Sequence, residues 1–556
     1  MNKKVCSFPI LFALLALLIG TCAVVFPASA QAAPTSTGSI TVSGTVASSY
    51  DAYQIFSANV VDGDSDAKIA TDLAWVSDAV RDAALPVLHS AGMPNSQTTA
   101  QEAAEWLNTD SHLTSALSAQ LARSLQSSGA VFVALNAGTA AELHCGYWLI
   151  VADDDAIAQG EVGTAPIMAL VGGSAVTVKP KAATPKVSKH VLEDGTAAWQ
   201  KAADATVADD LYWRLSATVP AGLTAYDTYA VRFVDTMSAG LDPSKVAASM
   251  RVYVAAGADG GFGAVSAGRD GRAGTEPAKG WTDITAQCAT KVAADGKTFT
   301  VRTGDLIAAL GGTEAFTAGA RVVAVYNAPL ASGCNHGIAK GNPNEVYLRY
   351  PRSPLSDQSG DAGFTRTPSD DATAYTWDLA LTKRGSDGDK PLAGAVLSIA
   401  DDRGRTLAAD GTWDAEGKAT VTTGEDGRVT VSGVDSGKLE VRELKAPKGY
   451  NAFEGTRSVT VKAEGLDVDQ VAAAKPKLTI TAESPLRADS ADGSTGSLEA
   501  SLINTPTGTP PSITTGGFMP STGDMAMYAA AAAAVTGAAL IVVALLVKRG
   551  GGSHKE

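Results

Sequence analysis

LEASLIN, residues 498–504, reads as a strand with Leu498, Ala500, Leu502 and Asn504 on one face, because alternate residues of a strand point the same way. Two other stretches share its form. LALTK (379–383) sets Leu379, Leu381 and Lys383 in one row, and LEVRE (439–443) does the same for Leu439, Val441 and Glu443. Each row is apolar and ends on one polar group. Burying a lone ammonium is costly, and a single lysine at a strand end usually snorkels to water. Three matching placements in one region point instead to a lysine, a glutamate and an asparagine buried together. Such a trio can form an amide bond. Burial disfavours the ammonium, and the neutral amine can attack the asparagine carbonyl carbon. The carboxyl polarises that carbonyl and carries protons, and ammonia leaves.

Working outward, the chain of 556 residues has room for about three domains between two apolar segments. The N-terminal segment has two lysines, an apolar core and a small-residue site ending at Ala30. It reads as a secretory signal peptide, residues 1–30, cleaved after Ala30. Residues 31–180 mix strands with helical stretches. Thr99 with Glu102 forms a capping box, and Leu113, Leu117, Leu121 and Leu125 recur every four residues, as on one helix face. These leucines read as core. Residues 183–355 alternate as strands around a Gly-rich stretch, and a Pro/Gly/Asp-rich segment then reads as a boundary. Residues 372–506 are again strand-rich, and 507–518 form a Pro/Thr spacer. Residues 525–547 are apolar and, at about 1.5 Å per residue, long enough to cross a membrane. The basic tail 548–556 places that end in the cytoplasm. The expected fold is therefore multidomain and mainly β. A mixed α/β first domain precedes two immunoglobulin-like sandwiches, and a transmembrane helix closes the chain.

A net charge of −14 argues against nucleic-acid partners. The sequence has no Gly-X-Ser-X-Gly elbow, metal-binding His pair or phosphate loop, so we expect neither an enzyme nor a cofactor or metal. Cys145, Cys288 and Cys334 remain after signal removal. The number is odd and the density low, so disulfides are not the main framework; Cys288–Cys334 is the one candidate bridge.

RELKAPKGY (442–450) resembles the E-box of the CnaB-type prealbumin-like domains of Gram-positive pilins, and LTK and LINTPTG match the lysine and asparagine positions of that family. The resemblance implies a Lys383–Asn504 isopeptide assisted by Glu443 as proton shuttle. The middle domain resembles a fimbrial isopeptide-formation domain, with Lys189 and Asp235 on apolar faces. That family ends the domain near Leu-X-Tyr-Ser-Asn-Asn-Pro, whereas this chain has LRYPRSP, with Arg352 at the asparagine position. We therefore expect this domain to lack the usual bond and Arg352 to pair with Asp235, with Asn327 as a fallback acceptor.

MPSTG (Met519, Pro520, Ser521, Thr522, Gly523) resembles the sortase sorting signal, with Met519 in place of leucine. Pro520 biases Met519 to an extended form, which offers the Thr522–Gly523 bond to an external enzyme. AVTVKPKAATPKVSK resembles the pilin motif. Val176, Val178, Pro180 and Lys181 match, so Lys181 is the candidate nucleophile, with Lys179 and Lys186 as rivals. Together these resemblances imply a backbone subunit of a sortase-assembled pilus, displayed on the surface and anchored to the wall, supporting adhesion. The partners implied are pilus-polymerising and housekeeping sortases, identical subunits, accessory pilins and peptidoglycan. The alternative is a non-polymerising wall-anchored adhesin or accessory pilin.

Overall fold

The computed structural model describes residues 36–508, apart from 45, 65–66, 110, 182 and 258–278. The expected signal peptide, spacer end, sorting motif, membrane span and basic tail lie outside the described residues. Among the described residues no helix is long and apolar enough to cross a membrane.

Three units follow one another along the chain, and the first combines helices with strands. Its strand Gly146–Ala152 is buried at every position, because both of its faces are covered. Tyr147, Leu149 and Val151 pack in one cluster with residues of the helices Asp78–Ser90, Ala100–Leu107 and Ser115–Ser128. Trp148, Ile150 and Ala152 pack in another with Ile40 and Val42, from the central strand of a three-stranded sheet. The Thr99 capping box is present, with both reciprocal bonds made. Thr114 caps the next helix. Leu117, Leu121 and Leu125 are therefore its buried stripe, while Leu113 packs against the core from just outside the cap.

The middle unit is a sandwich of two sheets. One runs, in order, Ala198–Gln200, Val187–Glu193, Tyr212–Val219, Ala320–Asn327, Arg251–Ala256 and Thr282–Asp283. The other is built around Asn342–Pro351 and Arg232–Met237, which pair antiparallel. This sheet continues beyond residue 355. Phe364–Arg366 and Asp370–Tyr375 both pair with Asn342–Pro351, so most of the segment read as a boundary belongs to the middle domain. Its Pro, Gly and Asp content reads as a linker, but Phe364, Thr365 and Thr367 within it are buried, and the sheet also takes in residues 372–375, which the sequence reading gave to the third domain.

The third unit begins two residues later. Trp377–Gly385 lies between Arg428–Val434 and Ser497–Asn504 in a four-stranded sheet. It runs parallel to Ser497–Asn504, with Leu379 opposite Leu498, Lys383 opposite Leu502 and Gly385 opposite Asn504. The second sheet carries Gly437–Lys445 between Val396–Ala400 and Thr456–Glu464. First and last strands are thus neighbours, and Glu443 comes from the other sheet.

Both joints are bonded. Between the first two domains, Gly163 N donates to Arg352 O at 2.7 Å, Tyr350 Oη to Gly160 O at 2.8 Å and Arg352 Nη1 to Asp154 O at 2.9 Å. Between the second and third, Trp377 Nε1 donates to Asp204 Oδ2 at 2.6 Å and Val207 N to Gly433 O at 2.9 Å. Arg403 bridges Asp194 and Asp209 at 3.1 and 2.8 Å. All three described cysteines are free, so the Cys288–Cys334 bridge is not made. Cys334 sits in the middle domain's core, Cys288 packs at its edge, and the Cys288 thiol lies 3.3 Å from Ile284 O.

Candidate amide-forming sites

The third domain brings Lys383, Glu443 and Asn504 together, as the three apolar rows predicted. All three side chains are buried, and Lys383 and Glu443 have no side-chain exposure. Two rows arrive on adjacent parallel strands and the third faces them across the core. Lys383 Nζ donates to Asn504 Oδ1 and lies 3.3 Å from Glu443 Oε1. Asn504 Nδ2 donates to both Glu443 oxygens, at 2.9 and 3.0 Å. Phe453 N donates to Glu443 Oε2 at 3.1 Å, which fixes the carboxyl. One carboxyl therefore touches both the attacking amine and the leaving nitrogen. Burial pulls the Lys383 ammonium down to about 8, against the opposing attraction of Glu443.

That shift has a testable sign. An Asn504→Ala protein has no acceptor, so Lys383 stays free to titrate. Folded, it gives up its proton near 8; unfolded, near 10.5. Between those values the unfolded chain binds more protons, so stability rises with pH through the window. Below about pH 8 the cost of burying the ammonium is present in full. Thermal melts of Asn504→Ala against Lys383→Met/Asn504→Ala should show the first gaining on the second as pH rises. A difference independent of pH would contradict the assignment.

The middle domain holds a second buried trio, but not the one expected. Lys189 and Asp235 are fully buried and paired through Lys189 Nζ and Asp235 Oδ2. Arg352 does not reach Asp235. It turns outward to the first domain and bonds Asp154 O. Asn327 is also engaged elsewhere, accepting from Leu211 N at 3.1 Å and donating to Asp210 at 2.6 Å. The asparagine beside the pair is Asn344, with no exposure. Its Nδ2 donates to Tyr326 Oη at 2.8 Å, and Lys189 Nζ donates to the same oxygen at 2.9 Å. Sequence reading missed Asn344 because it sought the acceptor at the strand's end. The signal was present in the same strand, where Asn342, Asn344, Val346, Leu348 and Tyr350 alternate onto one face and all five are buried. Asn342 is satisfied by Asn335 and Ala374, which leaves Asn344. Burial holds Lys189 down to about 8 and pushes the Asp235 carboxyl up, each opposed by attraction to the other.

The pilin-like stretch joins the first two domains. Val176–Val178 pairs in parallel with Ile40–Val42, and Val178 is buried in the first domain's core. Lys179, Lys181 and Lys186 are all exposed. Of the three, Lys181 lines the cleft at the joint, with Val162, Gly163, Leu223, Tyr226 and Pro354.

Residues 378–475, most of the third domain, match the model of the SpaA prealbumin-like fold domain. The chain is also similar to particular pilus proteins. It is 30% identical over 129 residues to the trypsin-resistant surface T6 protein of Streptococcus pyogenes serotype M6, an alignment covering 22% of this chain and 22% of that protein. The chain thus spans about a fifth of that relative's length. Among solved structures, the T6 backbone pilin of the same organism is 16% identical, covers 85% of this chain and 98% of its own, and gives a TM-score of 0.46. The full-length major pilin SpaD of Corynebacterium diphtheriae is 16% identical over 85% of this chain and 98% of its own, with a TM-score of 0.40.

Proposed function

We propose that this chain is the backbone subunit of a sortase-assembled pilus on a Gram-positive cell surface. The observation that carries the reading is the buried Lys383–Glu443–Asn504 contact set, which joins the first and last strands of a prealbumin-like domain. Attack by neutral Lys383 on Asn504, with Glu443 moving the protons, releases ammonia and leaves an amide. The middle domain forms a second such bond, from Lys189 to Asn344 with Asp235 as the acid–base group. A sortase cleaves between Thr522 and Gly523 through its own cysteine, and Lys181 of the next subunit resolves the acyl-enzyme. Joining unlike surfaces head to tail does not close on itself, so it yields an open fibre. Accessory pilins and peptidoglycan are the further partners in this reading.

Mass spectrometry of tryptic peptides from wall-attached material tests it. We expect two intrachain branched peptides, Lys383–Asn504 and Lys189–Asn344, each lighter by one ammonia, and one interchain branch from Lys181 to Thr522. Linear peptides throughout would defeat the proposal. Internal branches with Thr522 joined only to wall peptide would make the chain a singly anchored adhesin or accessory subunit.

A further inference from the structure

The two trios differ by one methylene. In the third domain the acid is a glutamate, and its carboxyl reaches both Lys383 and Asn504 Nδ2. In the middle domain the acid is an aspartate, and its shorter arm bonds Lys189 while Asn344 Nδ2 bonds Tyr326 instead. Tyr326 Oη fills the gap. It accepts from Lys189 Nζ at 2.9 Å and from Asn344 Nδ2 at 2.8 Å, and it donates to Asp235 Oδ2 at 3.1 Å. The hydroxyl therefore touches the nucleophile, the leaving nitrogen and the acid at once. No solvent reaches it, since Tyr326 has no exposure and Phe299 stacks edge-on against it at 4.8 Å.

We infer that Tyr326 is a catalytic residue of the middle-domain reaction, relaying a proton from Asp235 to the departing nitrogen of Asn344. The inference rests on the Lys189–Asn344 bond proposed above. The steps balance. The Lys189 ammonium gives one proton to the Asp235 carboxylate and becomes an amine. Nζ attacks Asn344 Cγ, and the carbonyl electrons move to Oδ1. Protonated Asp235 donates to Tyr326 Oη as the tyrosine hydroxyl passes its own proton to Nδ2. The C–Nδ2 bond breaks and ammonia leaves. The attacking nitrogen loses its second proton to Asp235, leaving a secondary amide and a neutral carboxyl.

Two further observations agree with this path. Asp235 Oδ1 and Asn344 Oδ1 are both buried without a hydrogen-bond partner. A relay also needs a neutral hydroxyl, and burial together with Asp235 holds the Tyr326 phenol well above its ordinary value. A merely structural tyrosine would satisfy the same bonds but would not set the rate of amide formation.

The test follows bond formation in the full extracellular chain during cell-free synthesis, with peptides read by mass spectrometry. The Lys383–Asn504 bond in the same molecule is the internal control. In Tyr326→Phe we expect the Lys189–Asn344 branch to form at least about a hundredfold more slowly, within the range usual for losing an acid–base group, while the third-domain branch forms at its normal rate. Equal rates for both branches would overturn the role of Tyr326. A native chain lacking the Lys189–Asn344 branch would instead overturn the bond itself. Should Tyr326→Phe leave the middle domain unfolded, 3-fluorotyrosine at 326 keeps the hydroxyl and makes it more acidic. The pH midpoint of middle-domain bond formation should then shift, and an unshifted midpoint would again remove Tyr326 from the reaction.

Discussion

Replacing Asn504 with alanine should lower the melting temperature of the third domain by about 15–20 °C and open it to trypsin. In the proposed reaction the substitution removes the acceptor, so the cross-link between Lys383 and position 504, 121 residues apart, would not form. Cross-linking a loop of that length restricts the unfolded chain. The entropy model developed for disulfides assigns such a closure about 5 kcal/mol. The alanine also leaves Lys383 buried beside Glu443 without its amide partner, which adds to the loss. Lys383→Ala should remove the same bond, and Glu443→Gln should leave most molecules unjoined while the fold is kept. Calorimetry and intact mass read the two effects together. If Asn504→Ala melts with the native protein, the bond is absent or carries no stability.

Lys181→Ala should abolish the high-mass ladder of wall-released protein and leave single subunits. Lys181 is the lysine of its stretch that lines the cleft at the first joint. The strand before it is pinned to the first domain by the pairing of Val176–Val178 with Ile40–Val42, so the site is presented on a fixed base. Both internal bonds should survive, because neither trio contacts Lys181. Lys179→Ala and Lys186→Ala should leave the ladder intact. A ladder that persists in Lys181→Ala and vanishes in either of those would move the nucleophile to that residue.

The third-domain site was legible because its logic is local. Each of Lys383, Glu443 and Asn504 ends an apolar row of period two, and a strand's period fixes its face. The helix bearing Leu117, Leu121 and Leu125 was legible for the same reason, and Leu113 falls outside it because Thr114 caps it. The buried asparagine near Lys189 and Asp235 was not read. Attention to the strand's end, where Arg352 stands, hid Asn344 nearer its start. What Arg352 does instead depends on Asp154 in another domain, and no periodicity within one strand reports such a contact. The continuation of the middle sheet through Phe364–Arg366 and Asp370–Tyr375 was hidden likewise, since the Gly-, Pro- and Asp-rich run that leads into them reads as a linker until the partner strand is in place.

The parallel pairing of Trp377–Gly385 with Ser497–Asn504 has a mechanical consequence. With the amide formed, tension entering the third domain at Trp377 travels along the first strand to Lys383, crosses the side-chain link to Asn504 and leaves through the residues beyond. Residues 384–503 lie off that load path. A pull on the domain's ends then does not extend residues 384–503, and the third domain's core stays folded under load.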